Sequence, residues 1–198
     1  MRMLAIECAT EACSLALFED DRLIAARHEV LGRGHAEHLV PLIASLPDKG
    51  RAEAIQVSLG PGSFTGVRIG LAAARALGLA WGAEVLGYPT LALVAAQGGS
   101  GEALVCMAGG HGEWFVQQFA GGLPSGPLAS LSPTAAVAAF ACERIIGSRA
   151  EEFVALRGYG TAAPMLPGAS AARRVPAQLL TSALAPLYGR PPDARLPA

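Results

Sequence analysis

The sequence predicts an α/β protein made of two lobes with related topology. Both halves of the 198-residue chain begin with paired strand-like apolar runs and then continue as helix, strand, helix. The stretch Gly98–Gly101 (Gly-Gly-Ser-Gly) is the strongest linker signal between the halves. We therefore expect one lobe over residues 1–98 and a second lobe, with an extended tail, over residues 102–198.

The first half is predicted to start with a meander of three antiparallel strands, because three apolar runs follow one another with short breaks. After them, Leu39, Leu42, Ile43 and Leu46 recur at helical spacing. The predicted elements are strands at Met3–Glu7, Cys13–Phe18 and Arg22–Val30, a helix over His35–Leu46, a strand at Ala54–Leu59, a long helix over Phe64–Trp81, a strand at Val85–Gly87 and a helix over Thr90–Gln97 with Thr90 as N-cap.

The second half repeats the pattern less regularly. Strands are predicted at Ala103–Met107, Trp114–Phe119 and Phe153–Leu156. Ser132 and Pro133 suit the N-cap and the first position of a helix, respectively. A last helix is predicted over Pro176–Leu187, followed by a proline-rich extended tail over Gly189–Ala198.

Composition excludes several functional classes. Charged residues make up 16% of the chain, below the roughly 25% usual for soluble domains. This favours either apolar surface that is buried on a partner or simply alanine-rich helices. The net charge of −1 and the lack of a basic stripe argue against autonomous nucleic-acid binding. No run reaches the roughly 20 apolar residues of a membrane span, and the N-terminus predicts a strand rather than a secretory signal, so we expect a cytoplasmic protein.

The four cysteines do not have the spacing of a zinc site. Cys8, Cys13, Cys106 and Cys142 include no CxxC pair, and no histidine lies near them at zinc-finger spacing. The first three lie in apolar runs, so we expect free, buried thiols that pack as small hydrophobic groups.

The most informative stretch is the glycine-rich turn Gly60–Gly70, which follows a strand and opens the long helix. This layout can hold phosphate or bring two backbones together. It is not a Walker A loop, because no lysine follows Gly66. The spacing also fails the GxSxG nucleophile elbow and the GxGxxG dinucleotide fingerprint.

Inside the helix, small residues recur every four positions, at Gly66, Gly70, Ala74 and Gly78. Each interior glycine costs about 0.5–1 kcal/mol of helix stability, so close packing must offset that loss. Three interpretations remain open: packing on the chain's own sheet, packing on a partner protein, or an anion site at the helix start that Arg68 would assist.

Four segments together resemble the bacterial TsaB (YeaZ) family, which is related to the TsaD/glycoprotease (peptidase M22-like) superfamily. They are GPGSFTGVRIG (60–70), the opening LAIECATEACSLAL (4–17), HAEHLVPLI (35–43) and PLYGRPPDA (186–194). The resemblance covers the first half and the tail, and it is weaker between about residues 120 and 175.

The resemblance implies an actin-like ATPase (ASKHA) fold with two lobes of mixed β-sheet and flanking helices. It implies a non-catalytic scaffold in the complex that forms N6-threonylcarbamoyladenosine in tRNA. The implied partners are a TsaD-like catalytic subunit, which binds ATP and metal, and a TsaE-like ATPase; tRNA is expected to be reached through the complex, and a homodimer is expected without the partner. Combined with the small-residue stripe, it predicts a partner interface at Phe64, Gly66, Val67, Gly70, Leu71, Ala74 and Gly78.

The alternative is an enzyme: an actin-like ATPase or a metal-dependent glycoprotease-like peptidase. Active actin-like ATPases have a DxGT-like turn between the first two strands, but here Glu7 and Ala9 replace its aspartate and glycine. Relatives often carry Asp-Ala-Arg at the start of the second lobe, where this chain has Ala108–His111 (Ala-Gly-Gly-His). His35 and His38 are expected to cap a helix or to lie on the surface, since no third metal ligand accompanies them. We therefore expect no catalytic, cofactor-binding or metal-binding residue in this chain.

Overall fold

The computed structural model describes residues 1–189, which form two mixed β-sheets with flanking helices. The strands are β1 (Arg2–Glu7), β2 (Ala12–Glu19), β3 (Arg22–Val30), β4 (Ala54–Ser58), β5 (Glu84–Tyr88), β6 (Ala103–Ala108), β7 (Trp114–Ala120), β8 (Leu123–Pro124), β9 (Ala129–Leu131), β10 (Arg144–Ile146) and β11 (Thr161–Ala163). The helices are α1 (His35–Ala44), α2 (Phe64–Trp81), α3 (Thr90–Gly98), α4 (Pro133–Ala139) and α5 (Ala150–Arg157). Short 3₁₀ turns lie at Pro47–Gly50, Gly110–Gly112, Ala169–Arg174 and Ala177–Leu179.

The two sheets share one topological plan. The first has the order β3-β2-β1-β4-β5, in which β1, β2 and β3 pair antiparallel and β4 and β5 run parallel to β1. The second has the order β11-β10-β6-β7-β8, with β9 also paired to β7. There β6 and β7 form the antiparallel hairpin, and β10 and β11 add in parallel. The predicted repeat of a hairpin followed by helix, strand and helix is confirmed.

Strand β1 is buried on both faces, which explains its uninterrupted apolar sequence. Leu4 and Ile6 belong to the core that α1 and α2 cover. Met3 and Ala5 belong to the core that contains α3, the 169–174 turn and residues of the second sheet. This second core joins the two halves, whereas the boundary at residues 98–102 stays a prediction.

Helix α2 begins and ends where the sequence predicts. The Ser63 hydroxyl accepts a hydrogen bond from Gly66 N at 3.2 Å and caps the helix. At the other end, Gly82 has the left-handed conformation (φ 66°), which glycine adopts without steric cost. Ser132 likewise caps α4 as predicted.

Three local predictions are wrong. The run Phe153–Leu156 belongs to α5 rather than to a strand, because only Ala150 and Phe153 face the core and four residues are too few to show helical periodicity. The segment Pro176–Leu187 is not a helix: it has one 3₁₀ turn, and Thr181 then pairs with Gly87 at the edge of β5. Thr90 is the first residue of α3, whose N-cap is Pro89. The predicted tail lies outside the described residues from 190 onward.

The small-residue stripe of α2 faces the chain's own sheet. A side chain on Gly66 would overlap the carbonyl oxygen of Cys8, and one on Gly78 would overlap Val85. At Gly70 there is more room, since a Cβ would lie 3.5 Å from Cys8 Cβ and 3.6 Å from Val57 Cγ2, which is ordinary contact. Smallness is therefore required at Gly66 and Gly78 but less strictly at Gly70.

This difference gives a matched pair of substitutions. We expect Gly66→Ala to lower the free energy of unfolding by about 1–3 kcal/mol, because the added methyl must displace the backbone of the β1–β2 turn. Gly70→Ala should leave stability unchanged or raise it by up to about 1 kcal/mol, because its Cβ fits and alanine favours the helix. Urea denaturation measures both, and equal tolerance of the two changes would contradict the described packing.

Candidate functional site

A cleft of about 830 Å³ opens between the two sheets. It is bounded by the β1–β2 turn, the start of α2, the loop after β6 and the last described residues of the chain. Its lining residues are Ala9, Thr10, Glu11, Gly32, Gly62, Ser63, Phe64, Val67, Arg68, Ala108, Gly109, Gly110, His111, Phe115, Ser148, Pro186, Leu187, Tyr188 and Gly189.

The glycine-rich turn packs tightly on the β1–β2 turn. Ser63 N donates a hydrogen bond to Ala9 O at 2.6 Å. A Cβ on Gly62 would overlap Ala9 O and lie 2.9 Å from the Ala9 Cβ. The backbones that could enclose a phosphate are thus in contact with each other, and of the interpretations left open, packing on the chain's own sheet accounts for these glycines.

Glu7, at the end of β1, points into the core and is not among the residues that line the cleft. Its Oε1 accepts a hydrogen bond from Ala9 N at 2.6 Å, and its Oε2 has no partner among residues 1–189. The nearby Ser58 and Tyr88 hydroxyls make their own hydrogen bonds, to Thr90 Oγ1 at 2.7 Å and Ile6 O at 3.0 Å.

Burial raises the pKa of Glu7 from its ordinary value near 4.5 to about 7, because desolvation disfavours the charged carboxylate. The Ala9 amide and the two hydroxyls oppose this shift only partly, since they favour the charged form. A carboxyl that is buried and largely protonated at neutral pH is suited to holding a turn together, and it is poorly suited to attracting a hydrated Mg²⁺.

The loop after β6 forms the opposite side of the cleft. Gly109 N donates to Glu113 O at 2.8 Å, and Ala108 N donates to Ser148 Oγ at 3.0 Å. His111 has a left-handed backbone (φ 58°) and lines the cleft. The residues that replace the Asp-Ala-Arg of relatives therefore still contribute to the cleft wall, mainly through backbone.

The histidine pair is divided by the fold. His35 is buried, and its Nε2 lies 3.2 Å from Ala12 O, so this residue ties α1 to β2 rather than lying on the surface. His38 is exposed. Among residues 1–189 no group of three His, Cys, Asp or Glu side chains could hold a metal ion. Over the same range no helix combines the length and the apolar character that a bilayer span needs.

The seven predicted interface residues divide into two groups. Gly66, Val67, Gly70, Leu71, Ala74 and Gly78 are buried against the first sheet. Phe64 is the exposed member, with 64% of its surface accessible. A partner interface on α2 stays a prediction, and the side of the helix available for it carries other residues.

The exposed side of α2 and its contacts were not predicted from the sequence. The guanidinium of Arg68 lies 3.3 Å above the Phe64 ring, and it hydrogen-bonds to the Tyr188 hydroxyl. The Phe64 and Tyr188 rings stack with their centroids 6.1 Å apart. Arg75 donates to Leu184 O at 2.6 Å. The expected roles of Arg68, on an anion or a carboxylate, are thus replaced by contacts with two aromatic residues.

The comparisons with known proteins agree on one family. The family model described as TsaD, tRNA N6-adenosine threonylcarbamoyltransferase, matches residues 28–125. The Escherichia coli (strain K12) tRNA threonylcarbamoyladenosine biosynthesis protein TsaB is 44% identical over 102 residues, which cover 48% of this chain and 43% of that protein. Less than half of the length of this relative is therefore matched.

Two further similarities span nearly the whole chain. An uncharacterised protein of Mycobacterium bovis is 31% identical over 213 residues, covering 98% of this chain and 93% of the relative. A solved Pseudomonas aeruginosa structure, described as similar to peptidase YeaZ, superimposes with a TM-score of 0.78 at 27% identity and covers 96% of this chain and 99% of its own. Solved structures of the actin-like ATPase (ASKHA) fold share the architecture, which confirms the expected fold.

The buried Glu7 predicts a pH-dependent stability. The native state holds this proton up to about pH 7, whereas the unfolded chain releases it near 4.5. The contribution of the neutral carboxyl is therefore complete below about pH 4.5 and is lost as the pH rises through about 7, by at most roughly 1.4 kcal/mol per pH unit. We expect Glu7→Gln, which is uncharged, to gain stability relative to the unmodified protein between about pH 5 and pH 8.

Urea denaturation across this pH range measures the difference. The control is Glu11→Gln, an exposed carboxyl only four residues away, which should leave the pH profile unchanged. A Glu7→Gln profile parallel to that of the unmodified protein would show that Glu7 is not protonated in the native state.

Proposed function

We propose, from the premise that this chain belongs to the TsaB (YeaZ) family of the TsaD/glycoprotease superfamily, that it is a non-catalytic subunit of the machinery that forms N6-threonylcarbamoyladenosine in tRNA. In this role it pairs with a TsaD-like catalytic subunit and works with a TsaE-like ATPase. It reaches tRNA through the assembled complex, and ATP and metal are bound by the partner subunits.

The observation that carries the non-catalytic role is the contact between the glycine-rich turn and the β1–β2 turn. In an active actin-like site these backbones surround the phosphates and a carboxylate faces the metal. Here Ser63 N is bonded to Ala9 O, and the carboxyl of Glu7 is buried. The protein keeps the two-lobed frame while the positions that would bind phosphate serve internal packing.

The exposed side of α2 is the surface that we assign to the catalytic partner. It presents Ala72, Ala76, Leu79 and Ala80, and Leu79 is 89% accessible. On the neighbouring helix α1, Val40 is 63% accessible. A surface of small residues with a few large apolar side chains lets another helix approach closely and bury apolar area.

The same surface also accounts for the expected homodimer. Without the catalytic subunit, two copies of α2 could cover each other's small residues in a symmetric contact. The heteromeric and homomeric pairings would then compete for one surface.

A substitution in the centre of this surface tests the assignment. We expect Leu79→Asp to weaken binding to the cognate TsaD-like subunit at least about tenfold, because a carboxylate would be desolvated at an apolar contact. Isothermal titration calorimetry, supported by light scattering, measures the affinity. The control is Leu156→Asp, which places the same charge on an exposed position of α5 (50% accessible) in the other half of the chain.

Two results would count against the proposal. If the unmodified chain forms no complex with the cognate subunit at micromolar concentration, the proposed function is wrong. If Leu79→Asp and Leu156→Asp bind as well as the unmodified chain, the pairing stands but the surface is elsewhere.

A further inference from the structure

The last described segment, Leu184–Gly189, lies across the first lobe and the mouth of the cleft; we call it the C-terminal latch. It follows Thr181, which exchanges two backbone hydrogen bonds with Gly87 at the edge of β5, with N···O distances of 2.7 and 3.0 Å. The latch contains no helix or strand. It is held by a small number of separate contacts, most of them on α2.

Two contacts join the latch to arginines of α2. Arg75 donates to Leu184 O at 2.6 Å, and Arg68 donates to the Tyr188 hydroxyl while its guanidinium lies over the Phe64 ring. Tyr188 also stacks on Phe64. The docked latch therefore engages both cations of α2.

Two further contacts hold the latch to the cleft. Leu187 N donates to Leu59 O at 2.7 Å, just before the glycine-rich turn. Gly189 passes between Phe115 of the second lobe and Pro61 of the first, where a Cβ would overlap Phe115 and lie 3.0 Å from Pro61 Cβ. The latch thus forms one wall of the cleft and touches both lobes.

The side of α2 that carries these arginines has a simple charge pattern. The helix contains Arg68 and Arg75 but no Asp or Glu, and the residues exposed between and after the arginines are alanines and Leu79. Such a face complements a protein surface that carries carboxylates beside small apolar groups. While the latch is docked, the arginines are not available to those carboxylates.

We propose that the C-terminal latch is an autoinhibitory segment that competes with an acidic partner surface for Arg68, Arg75 and Phe64. The occupant is the catalytic TsaD-like subunit, so this inference rests on the proposed function. Docked, the latch covers the amino-terminal half of α2 and leaves the carboxyl-terminal half around Leu79 open. Binding of the partner across the whole helix requires the latch to leave.

Tyr188→Ala and Gly189→Ala loosen the latch by different means. The first removes the ring that stacks on Phe64 and bonds Arg68, and the second places a methyl group against Phe115. Tyr159→Ala is the matched control, because Tyr159 has similar accessibility (48% against 55%) and also packs against an arginine, with Arg157 4.0 Å from its ring centroid.

The first measurement uses the full chain alone. We expect hydrogen exchange at the Leu187 amide to become roughly tenfold faster in both latch variants, since lost aromatic stacking and cation–π contacts shift an opening equilibrium by about that factor. Tyr159→Ala should leave this amide unchanged. Unchanged exchange in the latch variants, or an equal rise in the control, would overturn the latch itself, whatever the function of the protein.

The second measurement is the affinity for the cognate TsaD-like subunit. Both latch variants should bind it more tightly, by up to about tenfold, and the gain should shrink at high salt because it depends on freed arginines. Faster exchange with equal or weaker binding would overturn the competition. A higher dimer fraction of the variants in light scattering, without tighter heteromeric binding, would identify a second copy as the competitor and would likewise overturn it.

The two proposals fail in different ways. If neither the unmodified chain nor the latch variants bind the catalytic subunit, the proposed function is wrong and the competition falls with it. If the unmodified chain binds and the latch variants bind no better, only the competition is wrong.

Discussion

The approach of helix α2 to the β1–β2 turn is the constraint on which the rest of the structure depends. Gly62 and Gly66 have no room for a side chain, because the carbonyl oxygens of Ala9 and Cys8 occupy that space. The bond from Ser63 N to Ala9 O secures the same contact. This contact sets the position of α2 on the sheet, directs its outer side to solvent and determines the shape of the cleft floor.

The buried carboxyl of Glu7 supports this contact from beneath. A protonated carboxyl that accepts from Ala9 N stabilises the turn without placing a charge in the core. An aspartate at a metal site must instead remain charged and reach solvent or ion. The two arrangements are mutually exclusive, so the packing of one turn connects stability with the proposed loss of catalysis.

The functional surfaces are consequently the outer side of α2 and the cleft edge beside it. The glycines give α2 its close inner contact, while the arginines, Phe64 and Leu79 face outward. The C-terminal latch reaches both regions, since Tyr188 lies against α2 and Gly189 lies between the lobes. A chain segment remote in sequence can therefore influence the surface that we assign to a partner.

Much of the fold was predictable because its signals are local. The apolar strand runs, the Ser63 and Ser132 caps and the exact limits of α2 follow from backbone propensity and capping, and the repeated order of elements revealed two sheets of one plan. Local propensity failed where distant contacts decide the conformation. The alanine- and leucine-rich segment after Pro176 suits a helix, but its pairing with Gly87 and Leu59 holds it extended.

The candidate site divides in the same way. The sequence by itself determined that the turn after β4 is no standard phosphate loop, that small residues must line one side of α2, and that Glu7 and Ala9 alter the first turn. Only the tertiary structure decided that this side faces the chain's own sheet, that Glu7 is buried, and that Tyr188 meets Phe64 and Arg68. Spacing along a helix defines which residues share a face, but the neighbour of that face depends on contacts between segments more than a hundred residues apart, such as Arg68 and Tyr188.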